Sequence, residues 1–181
     1  EYKHTGTIQT WLPDREVFTD IKIPPEYFRD VLKRQAVVNA GLVFEFIDEE
    51  SGTTETFVYE NGIIDYVTEL SADKAITKPC RFESFARGRD REDKPEYKVK
   101  MEVAFCFNNE VNSIQYYHNS SWLEYGGAPD KAVKNAFVAE LDKYLRNNNK
   151  YNKNESKITF SDIEDSLILI TNTFSTMTSY E

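Results

Sequence analysis

The sequence predicts a mixed α/β protein, because two hydrophobic periodicities alternate along a chain of globular composition. Of the 181 residues, 40% are hydrophobic and 29% are charged, as expected of a chain that folds around a core. Segments with an apolar residue at every third or fourth position give way to segments with one at every second position. The predicted order is strand, helix, two strands, helix, three strands, helix and strand. The length fits one domain, or one domain with a remnant of a second.

The first strand and helix are marked by turn and cap residues. Residues 7–12 alternate and are β-prone, and the turn-like pair Pro13-Asp14 ends this predicted strand. A helix is predicted over residues 24–39. Pro24 suits a helix start, apolar residues follow at spacings of three and four, and Gly41 stands just after the end.

A hairpin and a second helix follow. Strands are predicted over residues 42–48 and 54–59, which alternate in phase and flank the turn residues 49–52. Asn61 is predicted to cap the next helix. The buried stripe of that helix consists of apolar residues at helical spacing: Ile63, Ile64, Val67 and Leu70.

The central section is antiparallel in character. Residues 81–86 are predicted as a short strand. Apolar residues at every second position from 99 to 107 alternate with Lys98, Lys100 and Glu102, which is typical of a sheet with one solvent-exposed face. Residues 112–118 are predicted as the returning strand, after a turn at Asn108-Asn109.

The last two elements are a long helix and a buried strand. The helix is predicted over residues 129–148, with Pro129 near its start and Gly126-Gly127 before it. Residues 167–170 are a continuous apolar, β-branched run, so they are predicted as a strand buried on both faces. The apolar stripe of the helix comprises Val133, Ala136, Phe137, Leu141, Tyr144 and Leu145.

Charge and composition exclude several classes of protein. The chain has 22 Lys and Arg against 31 Asp and Glu, a formal net charge of −9, so contact with a phosphate backbone must be local. No segment has the roughly 20 apolar residues of a membrane span, and no signal peptide precedes the first strand, so no membrane partner is expected. Two cysteines make no disulfide framework, which suits a reducing compartment.

Motifs for common catalytic sites are missing from the sequence. It has no Gly-x-x-x-x-Gly-Lys phosphate loop, no Gly-x-Gly-x-x-Gly and no Gly-x-Ser-x-Gly. The potential zinc ligands His4, His118, Cys80 and Cys106 occur singly, whereas a zinc site usually has a close ligand pair. No metal site and no catalytic residue are therefore predicted.

Two features leave a choice between a phosphate contact and a plain structural role. Residues 78–100 carry eight basic and five acidic side chains. They form either a phosphate-facing patch or a loop whose charges neutralise one another, and the second interpretation is preferred. Gly126-Gly127 either offers backbone N–H groups to an anion or makes a tight turn into the long helix. Lys131 and Lys134 follow in the first two turns of that helix.

Several short motifs, in this order and spacing, resemble one family. The resemblance is to the B subunits of bacterial type IIA topoisomerases, gyrase B and topoisomerase IV, and spans nearly the whole chain. It implies a transducer domain at residues 21–181, with a mixed sheet and three helices like domain 2 of ribosomal protein S5. It further implies that residues 1–20 are the last strand of a GHKL-type ATPase domain. The motifs are Thr5-Gly6-Thr7, Trp11-Leu12-Pro13-Asp14, Val38-Asn39-Ala40-Gly41-Leu42, Phe57-Val58-Tyr59-Glu60-Asn61-Gly62-Ile63 and Gly126-Gly127.

The resemblance also implies a function. The parent protein would be an ATP-dependent DNA topoisomerase, an isomerase of the cytoplasm, with ATP and Mg²⁺ as cofactors. Its partners would be a transported DNA segment, the topoisomerase A subunit and a second B subunit. This chain would couple the nucleotide state to DNA strand passage, and is expected to be inactive by itself as a fragment of the longer protein.

The resemblance assigns roles to two residues. Thr7 matches a threonine that lines the adenine pocket, and Lys134 matches a basic residue facing the cavity that receives the transported DNA. Ala128-Pro129 stands where the family usually has Thr-His. The family's Gln-Thr-Lys loop follows the last strand, and the sequence ends at Ser179-Tyr180-Glu181 before such a loop.

Two other functions stay open on the sequence alone. One is a stand-alone nucleic-acid-binding module with the same S5-like fold, which the net charge of −9 disfavours. The other is the equivalent domain of another GHKL ATPase, such as a mismatch-repair protein, which the motif at residues 57–62 and the glycine pair disfavour. The sequence does not distinguish gyrase from topoisomerase IV.

Overall fold

A computed structural model describes residues 6–89 and 91–177 of the chain. These residues form a five-stranded sheet, a separate two-stranded hairpin and four α-helices, which confirms the predicted mixed α/β class. His4, Thr5 and the end of the chain at Ser179-Tyr180-Glu181 lie outside the described residues. The elements are α1 (Pro25–Val38), β1 (Phe44–Asp48), β2 (Thr53–Phe57), α2 (Ile63–Ser71), β3 (Cys80–Gly88), β4 (Tyr97–Phe107), β5 (Ser113–His118), β6 (Ser121–Trp122), α3 (Gly127–Asn147), α4 (Ser161–Glu164) and β7 (Leu167–Ser175).

The last strand of the chain lies in the middle of the large sheet. The strand order is β3-β4-β7-β5-β6, and β7 pairs antiparallel with β4 and parallel with β5. Residues 167–173 are buried, which confirms the prediction of a strand covered on both faces. The strand runs on to Ser175 because each of its residues finds a partner on β4.

The two faces of the sheet pack against different helices. On one face, α1 and α2 bury Val37 and Val67 against Ala104 and Ile170 of the sheet. On the other face, α3 packs against alternate residues of the same strands, among them Val103, Tyr116 and Leu169, and contributes Val133 and Phe137. Alternation along β4 and β7 therefore supplies both cores.

The β1–β2 hairpin stands beside α1. The Asp48 carboxylate accepts hydrogen bonds from the backbone N–H groups of Glu50 and Ser51 and from the Ser51 hydroxyl. These bonds, led by the Ser51 hydroxyl, lower the pKa of Asp48. An ion pair between Arg29 on α1 and Glu55 on β2 joins the hairpin to the helix.

The strand predicted at residues 7–12 is not formed. Residues 6–14 have no regular secondary structure, and Ile8 is 94% exposed. An alternating segment becomes a strand only where another strand satisfies its backbone groups, and no strand of the described chain pairs with this one. The prediction was therefore wrong for this structure.

Three smaller details also differ from prediction. Gly62, with φ +67°, precedes α2, and Asn61 does not cap the helix but donates its own backbone N–H to Asp65. Tyr144 is 57% exposed and Ala136 is exposed, so the buried stripe of α3 is narrower than predicted. The short elements β6 and α4 were not predicted, because two and four residues are too few to show a period. No helix in the described ranges has the length and hydrophobicity to span a membrane.

Candidate nucleic-acid interface

The entry to α3 depends on two glycines in left-handed conformations. Gly126 has φ +73° and Gly127 has φ +59°. A Cβ on Gly126 would lie 2.6 Å from the Asp130 Cβ, which no residue with a side chain could accept without a shift. The Gly126 N–H donates to Leu123 O at 3.1 Å and the Gly127 N–H to Tyr125 O at 2.8 Å. Because both donors are used inside the turn, the tight-turn interpretation is the correct one.

Lys134 lies about two turns into α3 and is already engaged in an ion pair. Its Nζ is 3.0 Å from the Asp130 Oδ2, and its side chain is 45% exposed. The same ammonium lies 5.6 Å from the centre of the Phe160 ring, which is within cation–π range. Asp130 lies in the first turn of α3, where its negative charge interacts favourably with the positive end of the helix dipole. Lys134 is therefore held in a defined position by two neighbours.

A groove separates the start of α3 from α1. We call this cavity of about 560 Å³ the α1–α3 groove. Its walls come from α1, the β5–β6 hairpin, the turn before α3 and the first turns of α3. The residues that matter most are Lys33, Arg34, Trp122, Tyr116, Asp130 and Lys134.

The wall opposite Lys134 carries a second ordered cation. The Arg34 guanidinium carbon lies 4.1 Å from the centre of the Trp122 ring, a stacking distance that favours a flat guanidinium over an ammonium. The Gln35 side-chain amide donates to the Ser120 backbone carbonyl at 3.0 Å. This bond fixes α1 against the β5–β6 hairpin, so the position of Arg34 is set by two elements far apart in sequence.

Lys33 is held by a small polar network at the same wall. The Lys33 Nζ lies 2.8 Å from Glu69 Oε1, and the Tyr59 hydroxyl donates to Glu69 Oε2 at 2.7 Å. The hydrogen bond to Glu69 raises the pKa of Lys33, against the effect of burial. Burial, together with the Glu69 carboxylate, raises the pKa of Tyr59. The network keeps Lys33 charged and its carboxylate partner ionised.

The charge of the groove is mixed. Three cations, Lys33, Arg34 and Lys134, line it together with four carboxylates, Asp30, Glu124, Asp130 and Glu164. Tyr116, buried beside Asp130, has its pKa raised by burial and then by that carboxylate. A phosphate at Lys134 would compete with the Asp130 carboxylate, and one at Lys33 would compete with Glu69, whereas Arg34 is stacked on the Trp122 ring.

Thr7 is not brought into this site. It is exposed, within the irregular segment at residues 6–14, and none of the cavities described contains it. A Cβ added to its neighbour Gly6 would have no atom of the described chain within 4 Å, so nothing walls a pocket there. The described residues around Thr7 therefore supply no wall for the adenine pocket that the resemblance assigns to it. Within residues 6–89 and 91–177 no three His, Cys, Asp or Glu side chains come together as metal ligands.

In the described part of the segment at residues 78–100, four of the eight basic side chains are paired with carboxylates: Arg81, Arg87, Arg89 and Lys100. Arg81 pairs with Glu83 and Glu102, and Lys100 pairs with the same two carboxylates, so four charges on β3 and β4 form one network. Glu96 pairs with Arg87 at 3.7 Å and with Arg89 at 3.1 Å. These pairs support mutual compensation for part of the segment, at β3, β4 and the two arginines that pair with Glu96.

Sequence reasoning missed most of the groove. Arg34 and Trp122 are far apart in the sequence and show no periodic relation, so only the packing of α1 against the β5–β6 hairpin brings them together. Asp130 alone had a local signal, since an acid four residues before a lysine predicts an ion pair on a helix.

Comparison with known proteins gives one consistent family. A family described as DNA gyrase B matches residues 62–181. The chain is 30% identical over 168 residues to the B subunit of DNA gyrase from Metamycoplasma arthritidis, covering 92% of this chain and 26% of that protein. It is 26% identical over 170 residues to the B subunit of DNA topoisomerase 4 from Bacillus subtilis, covering 93% and 24%. The chain thus spans about a quarter of the length of these relatives.

Solved structures show the same fold. The 43K ATPase domain of Thermus thermophilus gyrase B, in complex with an aminocoumarin, superposes with a TM-score of 0.63 at 23% identity, over 93% of this chain and 44% of the other. The B-subunit of the DNA gyrase from Myxococcus xanthus gives a TM-score of 0.69 at 16% identity, over 90% and 43%.

Proposed function

The chain belongs to the DNA gyrase B family, and from this we propose that residues 21–181 are the transducer region of an ATP-dependent type IIA topoisomerase B subunit. Residues 1–20 would then be the end of its ATPase domain. The role of such a region is to couple the nucleotide state of the subunit to DNA strand passage. A DNA-processing role also implies the cytoplasm as its location.

The observation that carries the proposal is the placement of Lys134. It lies about two turns after a glycine pair whose backbone conformation only glycine accepts readily, on the wall of a groove that holds two further cations. Its side chain is 45% exposed and is ordered by Asp130 and Phe160. An ordered, half-exposed cation on a concave surface suits contact with a passing phosphate backbone better than a freely moving lysine does.

The ion pair with Asp130 gives the contact a reversible character. A DNA phosphate near Lys134 would replace the Asp130 carboxylate, so the ammonium keeps one anionic partner before and after the DNA passes. The net gain is small because one ion pair is exchanged for another in a solvent-accessible site. Weak binding is appropriate to a segment that must move on.

The proposal assigns ATP and Mg²⁺ to other parts of the full-length protein, since the residues around Thr7 do not form a pocket. The coupling would be a rotation of this domain relative to the ATPase domain, biased by contacts that differ between nucleotide states. The other partners would be the topoisomerase A subunit and a second B subunit.

Titration of this chain with a non-hydrolysable ATP analogue tests the assignment of ATP to other parts of the protein. It should show no heat of binding, and micromolar binding would contradict the assignment.

Charge reversal in the full-length protein tests the proposed DNA contact. Lys134→Glu should lower strand passage while leaving ATP hydrolysis without DNA nearly unchanged, because a repulsive charge then faces the DNA. The slope of log binding constant against log salt concentration should become shallower by about one, because about one counterion fewer is released per site. Lys143→Glu is the matched control, since Lys143 lies on the same helix, is 67% exposed and does not line the α1–α3 groove.

A second variant should act in the opposite direction. Asp130→Asn removes the carboxylate that competes for Lys134 and should strengthen DNA binding. Equal effects of Lys134→Glu and Lys143→Glu would reduce Lys134 to an ordinary surface lysine. Loss of DNA-independent hydrolysis in Lys134→Glu would place its role at the nucleotide instead.

A further inference from the structure

The strand β3 forms an open edge of the large sheet. It spans Cys80–Gly88 and pairs with β4 along its whole length, while its other edge meets no strand of the described chain. Residues 80–87 are all exposed, and Phe85 is 73% exposed. An edge of this kind presents a row of unpaired backbone donors and acceptors to any strand that can align with it.

Structural devices that protect such edges are few on β3. The register with β4 is one-to-one over all nine residues, so the strand has no bulge, and it contains no proline. The charges on it are the one feature that discourages pairing. They are Arg81, Glu83 and Arg87, which alternate with Phe85 on one face of the sheet.

The spacing of these charges makes the strand complementary to itself in one antiparallel register. If Phe85 lies opposite the Phe85 of a second copy, Glu83 of each chain faces Arg87 of the other. This register aligns residues 82–88 of both strands, with two oppositely charged cross-strand pairs and an aromatic pair between them. Arg81 then lies opposite Arg89, which stands one residue past the end of β3. A register centred on Ser84 would instead place Arg81 of each chain opposite Arg87 of the other. A register centred on Glu83 would place the two Glu83 carboxylates opposite each other.

We propose that β3 is a self-association edge, on which a second copy of this chain adds its own β3 antiparallel, centred on Phe85. The two five-stranded sheets would then continue into one another through paired main chains. The contact is narrow, so a weak and reversible dimer is expected. It lies on β3, away from the α1–α3 groove, and does not depend on the proposed DNA contact.

Sedimentation velocity tests the association. The chain should show a concentration-dependent monomer–dimer equilibrium, and Arg87→Glu should weaken it about tenfold because two cross-strand pairs change from attractive to repulsive. The swapped variant Glu83→Arg with Arg87→Glu should restore it. Arg91→Glu makes the same change of charge just outside the strand and should leave the dimer unaltered.

A crosslink tests the register separately. In a Cys80→Ser background, which removes the exposed native thiol, Phe85→Cys should give a disulfide-linked dimer on mild oxidation, since facing side chains lie close to disulfide distance. Glu83→Cys should not, because its counterpart in the proposed register is Arg87. Circular dichroism confirms that each variant is folded. A chain that stays monomeric up to about 1 mM, where even weak contacts become measurable, would overturn the proposal, as would equal crosslinking at both positions.

Discussion

The two faces of the large sheet are covered to very different degrees. On one face, α1 has 14 residues and α2 has 9, and each helix buries three of them. On the other face, the 21-residue α3 buries two, Val133 and Asp142. Beside α3 lies a cavity of about 640 Å³, lined by apolar side chains of the sheet and the helix, including Phe82 and Met101. The longest helix thus has the smallest fraction of buried residues.

This difference indicates a division between a fixed and a movable part. The α1/α2 face is closed by apolar contacts, which resist displacement because the packed core has few voids. In the C-terminal half of α3, Phe137, Val138 and Leu141 pack on the sheet while only partly buried. Polar contacts hold this half as well: Asp142 accepts a hydrogen bond from Tyr151 at 2.9 Å and pairs with Arg146 and Lys157. Polar anchors of this kind can exchange partners. The DNA contact proposed for α3 would therefore lie on the less constrained face.

The largest expected effect is on the closed face. Ile170→Ala should cost roughly 2–5 kcal/mol of unfolding free energy, because Ile170 is fully buried under α1 and α2 and the site cannot collapse easily. Phe82→Ala on the α3 face should cost clearly less, since Phe82 is 48% exposed. Denaturant unfolding of both variants measures the contrast. Similar losses for the two would remove the basis for the division.

The next effect is at the entry to α3. Gly126→Ala should cost about 1–3 kcal/mol, the usual range for a non-glycine residue in a disfavoured backbone conformation. The Cβ would also press on Asp130, so the Asp130–Lys134 pair should be displaced. Gly52→Ala is the control. Gly52 also has a positive φ, but no atom of the described chain lies within 4 Å of its Cβ position, so this variant measures the cost of the backbone conformation alone. A loss no larger than that of the control would show that the turn accommodates the methyl group.

Alkaline titration should affect the closed face through Tyr59. Its pKa is raised by burial and by Glu69, so the folded state favours the protonated phenol. The stabilisation is therefore fully present below the unfolded pKa of about 10 and is lost as the pH rises above it. Tyr59→Phe should flatten the pH dependence of the melting temperature above that value. An unchanged slope would mean that folding does not raise the pKa of Tyr59.

Acid titration should affect the α3 face through Asp142. Burial opposes ionisation, but the Tyr151 hydrogen bond and the charges of Arg146 and Lys157 outweigh it and lower the pKa of Asp142. Its contribution is present above the unfolded value of 3.8 and is lost as the pH falls through the lower folded value. Hydrogen exchange should show the C-terminal turns of α3 opening earlier in Asp142→Asn than in the parent chain. Uniform exchange across both faces would argue against the polar anchor.

The smallest effect is expected in the charge network of β3 and β4. Glu102→Gln should cost at most about 1 kcal/mol, as for other partly exposed ion pairs, although Glu102 is the least exposed of the four residues. The effect should shrink with added salt. Thermal unfolding at low and high ionic strength checks this. A large loss that salt leaves unchanged would indicate a packing role for Glu102 instead.

The sequence predicted elements with strong periods and missed features that depend on partners. The central strand at residues 167–170 was found because burial on both faces leaves a continuous apolar run. The predicted strand at residues 7–12 failed because alternation says nothing about whether a neighbouring strand exists. Tyr144 fits the apolar stripe of α3 by spacing and is nevertheless exposed, because the last turns of α3 extend past the sheet core.

The candidate site shows the same limit. Lys134 and the glycine pair could be found from the sequence, because they stand together at one helix start. The opposite wall of the groove, with Arg34 stacked on Trp122, depends on how α1 packs against the β5–β6 hairpin. No local pattern encodes such a contact.

A crosslink between α3 and captured DNA tests the proposed contact of Lys134 with DNA. In the full-length B subunit with its A subunit, Lys134→Cys in a Cys80→Ser background is exposed to duplex DNA that carries thiol-reactive phosphate groups. With a non-hydrolysable ATP analogue trapping the duplex, we expect an adduct from Lys134→Cys and little or none from Lys143→Cys, which lies on the same helix outside the groove. Trapped duplex without an adduct at position 134, or with equal adducts at both positions, would contradict the account.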